Sequence, residues 1–163
     1  QMLSHGLMTA LFFALIGMIY GRTHTRDIRK MGGLMQIMPF LGVGYVIAGL
    51  ANLGLPGFSG FVAEMTIFVG SFAHADMFHR VLTIMACSAI VITAVYILRV
   101  LGRMRCGPVY DDHHRTLTDA VWHEKFAVIT LIVCVAGLGC FPNFFNEIIY
   151  DSFAPIIKAL GAF

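Results

Sequence analysis

One acidic residue of this sequence lies inside a long apolar stretch. Glu64 is the only charged residue of the segment 31–75, whereas the other eight Asp and Glu residues lie near the ends of apolar runs, between them or in the C-terminal tail. A charge in apolar surroundings is costly, so this side chain must face protein or water. A carboxyl group placed in this way can take up and release a proton repeatedly, which makes Glu64 a candidate proton carrier. The alternative is a neutral, hydrogen-bonded glutamate with only a structural role.

Of the seven histidines, only His5 lies inside an apolar run. Ser4 precedes it and Thr9 follows one helical turn later, so the start of the chain has a small polar patch. An imidazole changes its charge near neutral pH and can relay protons through a membrane protein. His5 is therefore a second candidate proton carrier, although a hydrogen bond to a neighbouring helix would explain it equally well.

The other reactive residue types give weaker signals. One polar cluster has side chains that bind metals, namely Asp111, Asp112, His113 and His114. A solvated loop is the simpler interpretation of this cluster, and we predict neither a metal site nor a cofactor site in this chain. The cysteines form no C-x-x-C pair, and we interpret them as buried small apolar residues: Cys87, Cys106, Cys134 and Cys140.

The composition places the candidate carriers in a membrane. The chain has 163 residues, of which 58% are hydrophobic and 12% charged, and its mean hydropathy is +0.81. Soluble domains carry roughly 25% charged residues. These values exclude a soluble enzyme domain, a disordered chain and a nucleic-acid-binding protein. At about 20 apolar residues per crossing, four or five crossings would use the whole length.

The charge distribution decides the number of crossings. The charge-poor stretches are 2–21, 31–75, 81–98 and 126–146. The second is too long for one continuous helix, so it crosses either twice or once with a break. A single crossing puts nine of the eleven Lys and Arg residues on one side, whereas two crossings divide them five to six. The positive-inside rule favours the single crossing and predicts that the loops 22–36 and 99–125 are cytoplasmic.

The long stretch contains a helix-breaking motif, Gly54-Leu55-Pro56-Gly57. Proline removes a backbone donor, and glycine adopts non-helical angles at little cost. Transporters build ion sites at such discontinuous helices, whereas a simple kink in a packed helix is the alternative. We therefore predict a helix break at Gly54, Pro56 and Gly57.

The C-terminal tail has an amphipathic pattern. Its apolar residues recur at helical spacing and are Phe145, Ile149, Phe153, Ile156, Leu160 and Phe163. We predict a helix over 144–163 that lies in the membrane interface or on a neighbouring subunit, with Trp122 as an interfacial anchor elsewhere. The predicted fold is an all-α membrane protein. Its residues 1–143 form four transmembrane helices, the second discontinuous at 54–57, and the amphipathic helix follows.

Four segments resemble the antiporter-like membrane subunits of respiratory complex I, the NADH-quinone oxidoreductases. They are Ser4-His5-Gly6-Leu7, Arg22-Thr23-His24-Thr25-Arg26-Asp27, Met31-Gly32-Gly33-Leu34 and residues 51–64. In the related L-type and N-type subunits the ionisable residue after the Pro-Gly motif is usually a lysine. Glu64 is the M-type choice at this position.

The resemblance implies specific roles for the candidate residues. Glu64 would be the terminal proton carrier of the outer half-channel, His5 the histidine of the central axis, and Pro56 the break in the helix. The family's glutamate–lysine pair and central lysine would belong to upstream helices. This agrees with a chain that begins at Gln1 without a charged leader and is expected to start mid-protein.

The resemblance also implies partners and a location. Proton translocation would be coupled to quinone reduction in other subunits, which would hold NADH, quinone, FMN and iron–sulfur clusters. The neighbours would be L-type and N-type antiporter-like subunits in the bacterial cytoplasmic membrane or an equivalent energy-coupling membrane. Three alternatives stay open: a multisubunit sodium/proton antiporter, a membrane-bound hydrogenase or another complex I-like enzyme, and a purely structural membrane subunit.

Overall fold

The computed structural model describes residues 1–74, 76–109, 114 and 116–159, except for the side chains of Asn146 and Ile157. Within this part the chain is helical and contains no β-strand. A short 3₁₀ turn, Ile28–Lys30, separates the first helix from the others. The α-helices are α1 (Met2–Thr23), α2 (Leu34–Ile37), α3 (Pro39–Asn52), α4 (Ser59–Ala73), α5 (Met77–Cys106), α6 (Trp122–Cys140) and α7 (Pro142–Ala159).

In the described part of the chain, three helices are long and apolar enough to cross a membrane, namely α1, α5 and α6. The helices α3 and α4 are also apolar, but they have only 14 and 15 residues. At a rise of about 1.5 Å per residue, neither of them alone spans a hydrocarbon core of about 30 Å. The prediction of an all-helical membrane protein is confirmed at this level.

The main core lies between α1, α3, α5 and α6. Small residues let α3 approach its neighbours closely, because a Cβ at Gly44 would lie 3.1 Å from Leu15 on α1 and one at Gly49 would lie 3.0 Å from Leu101 on α5. Close approach at small residues is the usual way in which membrane helices pack. The helix α3 is thereby held in the middle of the bundle.

An ion pair joins the ends of α1 and α6. The guanidinium of Arg22 donates to both carboxylate oxygens of Glu124, at 3.2 and 2.5 Å. Arg22 also donates to the carbonyl oxygens of Met18, Thr118 and Asp119, and both charged side chains are largely buried. The residues that follow α1 and those that precede α6 therefore lie together.

Further contacts connect the same two segments. The carboxylate of Asp119 accepts the backbone N–H groups of Phe40 and Leu41 at 2.8 and 3.3 Å, and so caps the start of α3 from a distant part of the chain. Gly33 has a φ of 67° and lies so close to Gly107 that a Cβ would be 2.6 Å from its carbonyl oxygen. These contacts place the described parts of the loops 22–36 and 99–125 at one end of the bundle, which we call the charged end, as the charge distribution predicts.

One prediction made from the sequence is wrong, and another concerns residues that lie mostly outside the described part of the chain. The interpretation of the cysteines as buried residues is wrong, since Cys106, Cys134 and Cys140 are exposed and Cys87 is half-buried. The exposed cysteines lie on outer faces of α5 and α6, whereas other residues of the same helices contribute to the core. Of the polar cluster 111–114, only His114 lies within the described residues, where it is buried.

The tail forms a helix that begins two residues earlier than predicted and packs mainly on α6. Its apolar residues are largely exposed in this chain, including Phe144, Ile149, Phe153 and Ile156. Leu160 and Phe163 lie outside the described residues.

Candidate functional site

The long apolar stretch is interrupted by a non-helical segment at the predicted motif. The helix α3 ends at Asn52 and α4 begins at Ser59. Gly54 and Gly57 between them have φ values of 64° and 99°, in the left-handed region where glycine avoids the steric cost of a side chain. We call residues 53–58 the break. Turn hydrogen bonds within the break stabilise its conformation. In one of them, the N–H of Phe58 donates to the carbonyl oxygen of Leu55 at 3.2 Å.

The carboxyl group of Glu64 leans back against this break. A Cβ built on Gly54 would lie 2.8 Å from Oε2 of Glu64, so the carboxylate occupies the space that any larger residue would need. Glu64 is half-buried, and within the described residues it has no ion pair and no side-chain hydrogen bond. Its acid group therefore faces the backbone of Gly54 rather than a fixed partner.

The first turn of α1 docks beside the break. The hydroxyl oxygens of Ser4 and Ser59 lie 2.7 Å apart, and both residues are buried. His5, the next residue, is exposed on this chain, and its Nδ1 lies 3.5 Å from the hydroxyl of Thr9. The structure thus brings the turn that carries His5 to the start of α4, without direct contact between His5 and Glu64.

Apolar residues and one further glycine enclose the other side of the break. Met8, Ala51 and Val135 form a small buried cluster there. On α6, a Cβ at Gly139 would lie 2.5 Å from the carbonyl oxygen of Gly57, so α6 touches the backbone of the break. The break is therefore held between α1 and α6 as an ordered element of the fold.

The site has one acidic side chain for proton transfer, that of Glu64, and few other reactive groups. Glu64 is a titratable acid beside a locally non-helical backbone, which membrane proteins tolerate only where it is buried or lines a polar cavity. Among the described residues, no group of three His, Cys, Asp or Glu side chains lies close enough together to bind a metal ion. Proton transfer by the Glu64 carboxyl group is the candidate chemistry of this site.

The sequence predicted Glu64, His5, Gly54, Pro56 and Gly57 as site residues, but it did not indicate which residues position them. Ser59 and Gly139 were not predicted as parts of the site, although Ser59 is a polar residue at the first position of a helix in an apolar stretch. Gly139 gave no signal, because its importance rests on contact with backbone more than 80 residues away.

A family model for the transmembrane region of NADH:quinone oxidoreductases and Mrp antiporters matches residues 1–93 of this chain. The chain belongs to this family. The matched region contains α1, the break, α4 and the first half of α5, and so includes both His5 and Glu64. The resemblance found in the short motifs is confirmed, and the chain is a membrane protein of this family.

Individual relatives agree with the family match. The chain is 38% identical over 157 residues to the NAD(P)H-quinone oxidoreductase chain 4 of Acaryochloris marina, with 93% of this chain and 29% of that protein covered. It is 37% identical to a chain 4 of Thermosynechococcus vestitus and 37% identical to one of Synechocystis, each over 93% of this chain and 30% of the relative. The chain therefore spans about a third or less of the length of these relatives.

Proposed function

We propose that this member of the NADH:quinone oxidoreductase/Mrp antiporter family translocates protons as part of a quinone-reducing membrane complex, with Glu64 as a proton carrier. The observation that carries the proposal is the position of the Glu64 carboxyl group against Gly54 at the break. A purely structural glutamate in an apolar helix would need a hydrogen-bond partner, and the described residues give it none.

The membrane topology belongs to the same proposal. We infer that α3, the break and α4 together make one discontinuous crossing, so that α1, this pair, α5 and α6 form four crossings. The lengths support this, since α3 and α4 are each too short for a crossing and together have 29 residues (14 and 15). The charged end would then face the cytoplasm, and α7 would form the lateral amphipathic helix.

In the proposed mechanism, Glu64 holds a proton at its carboxyl group and releases it towards the outer side. His5 transfers protons along the hydrated axis. It lies in the first turn of α1, which the hydrogen bond between Ser4 and Ser59 fixes beside the break. A change of charge in a neighbouring part of the protein would alter how tightly Glu64 holds its proton. Non-helical backbone at membrane depth is tolerated where it is buried in protein or lines a polar cavity, and in this mechanism the break lines a hydrated path for the proton.

The relatives' names support the assignment of partners. Because they are chains of NAD(P)H-quinone oxidoreductases, we infer a similar assembly around this chain, with L-type and N-type antiporter-like neighbours. NADH, FMN, iron–sulfur clusters and quinone would belong to partner subunits. The family also includes Mrp antiporters, so an antiporter subunit is the second candidate function. Proton translocation that stops when quinone reduction is inhibited would favour the first candidate.

The test is a series of substitutions at Glu64 in the full-length protein, assembled in its native membrane. Glu64→Gln keeps the size of the side chain but cannot ionise, so proton translocation per electron should fall strongly while assembly stays near normal. Glu64→Asp should keep part of the activity, since it still carries a proton with a shorter reach. Glu147→Gln is the matched control, because Glu147 is an exposed acid of α7 and its substitution should change nothing.

A structural role predicts a different order for the same variants. Gln would then be nearly silent, and Asp would be the more damaging change because it alters the length of the side chain. A Glu64→Gln variant that pumps like the parent would end the proposal.

A further inference from the structure

Four arginines line one cleft at the charged end. The cleft has a volume of about 380 Å³ and lies between the segment after α1 and the last turns of α5. Arg26 and Arg29 contribute from the segment, and Arg99 and Arg103 contribute from α5. Among the described residues, Asp27 contributes the only carboxylate to the lining, so four positive charges face one negative charge there.

These positive charges are not neutralised by the described part of the chain. The carboxylate of Asp27 accepts the backbone N–H of Arg29 at 3.0 Å, and none of the four guanidinium groups has an ion pair within the described residues. Arg26 stacks over the ring of Tyr20, at 4.5 Å from its centre. Like charges that share a cleft repel one another, so an anion bound there would relieve the repulsion.

The cleft lies at the depth of lipid headgroups. The helix α5 has 30 residues and is about 45 Å long, which exceeds a hydrocarbon core of about 30 Å. Its charge-free part ends at Leu98, and Arg99 and Arg103 occupy the next turns. The arginines therefore lie just beyond the hydrocarbon boundary, where the phosphate groups of a bilayer are found.

A mainly apolar crevice adjoins the cleft. This second cavity, of about 150 Å³, shares Arg26 and Ile28 with the cleft. Its other walls come from α1, α3 and α5 and include Ile16, Tyr45 and Met104. A ligand with an anionic head and an apolar tail would match both cavities, whereas an anion without a tail would leave the crevice empty.

We propose that the cleft and crevice together bind an anionic phospholipid. The phosphate lies among the four arginines, whose planar guanidinium groups donate paired hydrogen bonds to phosphate oxygens. Part of an acyl chain enters the crevice past Ile28. Basic pockets between transmembrane helices on the cytoplasmic side are typical sites for anionic lipid headgroups. An acidic segment of a protein partner would bind the arginines but would leave the crevice empty. It therefore matches the two cavities less completely than an anionic phospholipid does.

The test uses the full-length protein in nanodiscs of phosphatidylcholine, with and without a minor fraction of phosphatidylglycerol. Native mass spectrometry then measures how much phosphatidylglycerol stays bound after detergent release. The double variant Arg99→Gln and Arg103→Gln should retain at least about tenfold less, because two charge-assisted hydrogen-bonding groups are lost. The control Lys30→Gln and Arg105→Gln removes the same charge at the same end, but outside the cleft lining, and should retain lipid like the parent.

Four further results decide the proposal. Arg99→Lys with Arg103→Lys should restore part of the binding, since the charges remain without the planar geometry. Equal retention of phosphatidylglycerol by the parent and both Gln variants would overturn the proposal. Release of the lipid by millimolar inorganic phosphate would assign the cleft to free phosphate. A cross-link from the cleft to an acidic protein segment in place of lipid would assign the cleft to a protein partner. Either of these two results would also overturn the proposal.

Discussion

The hydroxyl oxygens of Ser4 and Ser59 lie 2.7 Å apart in a buried junction between the first turn of α1 and the first residue of α4. The contact joins residues that are 55 positions apart, and in it one hydroxyl donates a hydrogen bond to the other. It fixes the end of the break relative to α1, and thereby the start of the helix that carries Glu64. The position of the candidate proton carrier thus depends on a hydrogen bond between its own helix and α1.

Removal of one serine should therefore destabilise the protein. Ser59→Ala leaves the hydroxyl of Ser4 buried without its partner, which costs about 1–3 kcal/mol. The double variant with Ser4→Ala should lose less than the sum of the single changes, since no unpaired hydroxyl remains. Thermal unfolding in a fixed detergent measures the series.

Ser88→Ala is the control for this series. Ser88 is exposed, and its hydroxyl donates only to the carbonyl oxygen of Met85 in its own helix. Its substitution should change stability by less than about 0.5 kcal/mol. Strictly additive losses for Ser4 and Ser59 would contradict the proposed pairing.

A second prediction concerns Gly54. Gly54→Ala forces a side chain into a left-handed backbone position and pushes a methyl group against the carboxyl group of Glu64. We expect a loss of about 1–3 kcal/mol in stability together with reduced proton translocation. Gly70→Ala is the matched control in α4, because Gly70 lies in a helix with open space around it and should tolerate the methyl group. Equal tolerance of both substitutions would contradict the packing of Glu64 against the break.

The sequence predicted the elements of this fold better than the contacts between them. Local patterns marked the apolar helices, and the motif around Pro56 marked the break, because proline and glycine act on their own backbone. The charge count placed the two loops at one end, since the positive-inside rule sums over whole loops. Glu64 stood out because an acid in an apolar run is rare.

The contacts between residues that are far apart in the chain could not be predicted. Nothing near Asp119 indicates that its carboxylate caps α3, about 80 positions earlier, because helix caps are normally local. The pairing of Arg22 with Glu124 is equally invisible in either local sequence. The cysteines were misplaced for a related reason, since apolar runs in a membrane protein do not separate core from lipid-facing surface.

The pair of Arg22 and Glu124 leads to a third prediction. Glu124→Gln keeps the shape of the side chain but removes the charge opposite Arg22, which is largely buried. We expect a loss of about 1.5–3 kcal/mol, the range for a hydrogen bond to a charged group. Glu124→Ala should be worse, because Glu124 also accepts the backbone N–H of Val121 at 2.8 Å. Glu147→Gln serves as the control for thermal unfolding, and an equal effect of both Gln variants would contradict a stabilising role of the pair.

The last prediction tests the single discontinuous crossing of α3 and α4 by the reactivity of cysteines from each side of the membrane. Three positions are informative in a protein whose other cysteines are replaced by alanine: the native Cys106 at the end of α5, Lys30→Cys after α1 and Asp76→Cys before α5. All three positions are exposed. If α3 and α4 make one crossing, Lys30→Cys and Cys106 should react with a membrane-impermeant maleimide from the cytoplasmic side, and Asp76→Cys from the outer side only. Two separate crossings would instead place Lys30→Cys and Asp76→Cys on the same side, because the chain would return before α5 begins.

The contacts at the charged end favour the first result, since Gln36 donates to the carbonyl oxygen of Arg105 at 3.3 Å and so lies at the same end as Cys106. Sealed right-side-out and inverted vesicles measure the two sides separately, and labelling of Lys30→Cys together with Asp76→Cys from outside would exclude the single crossing.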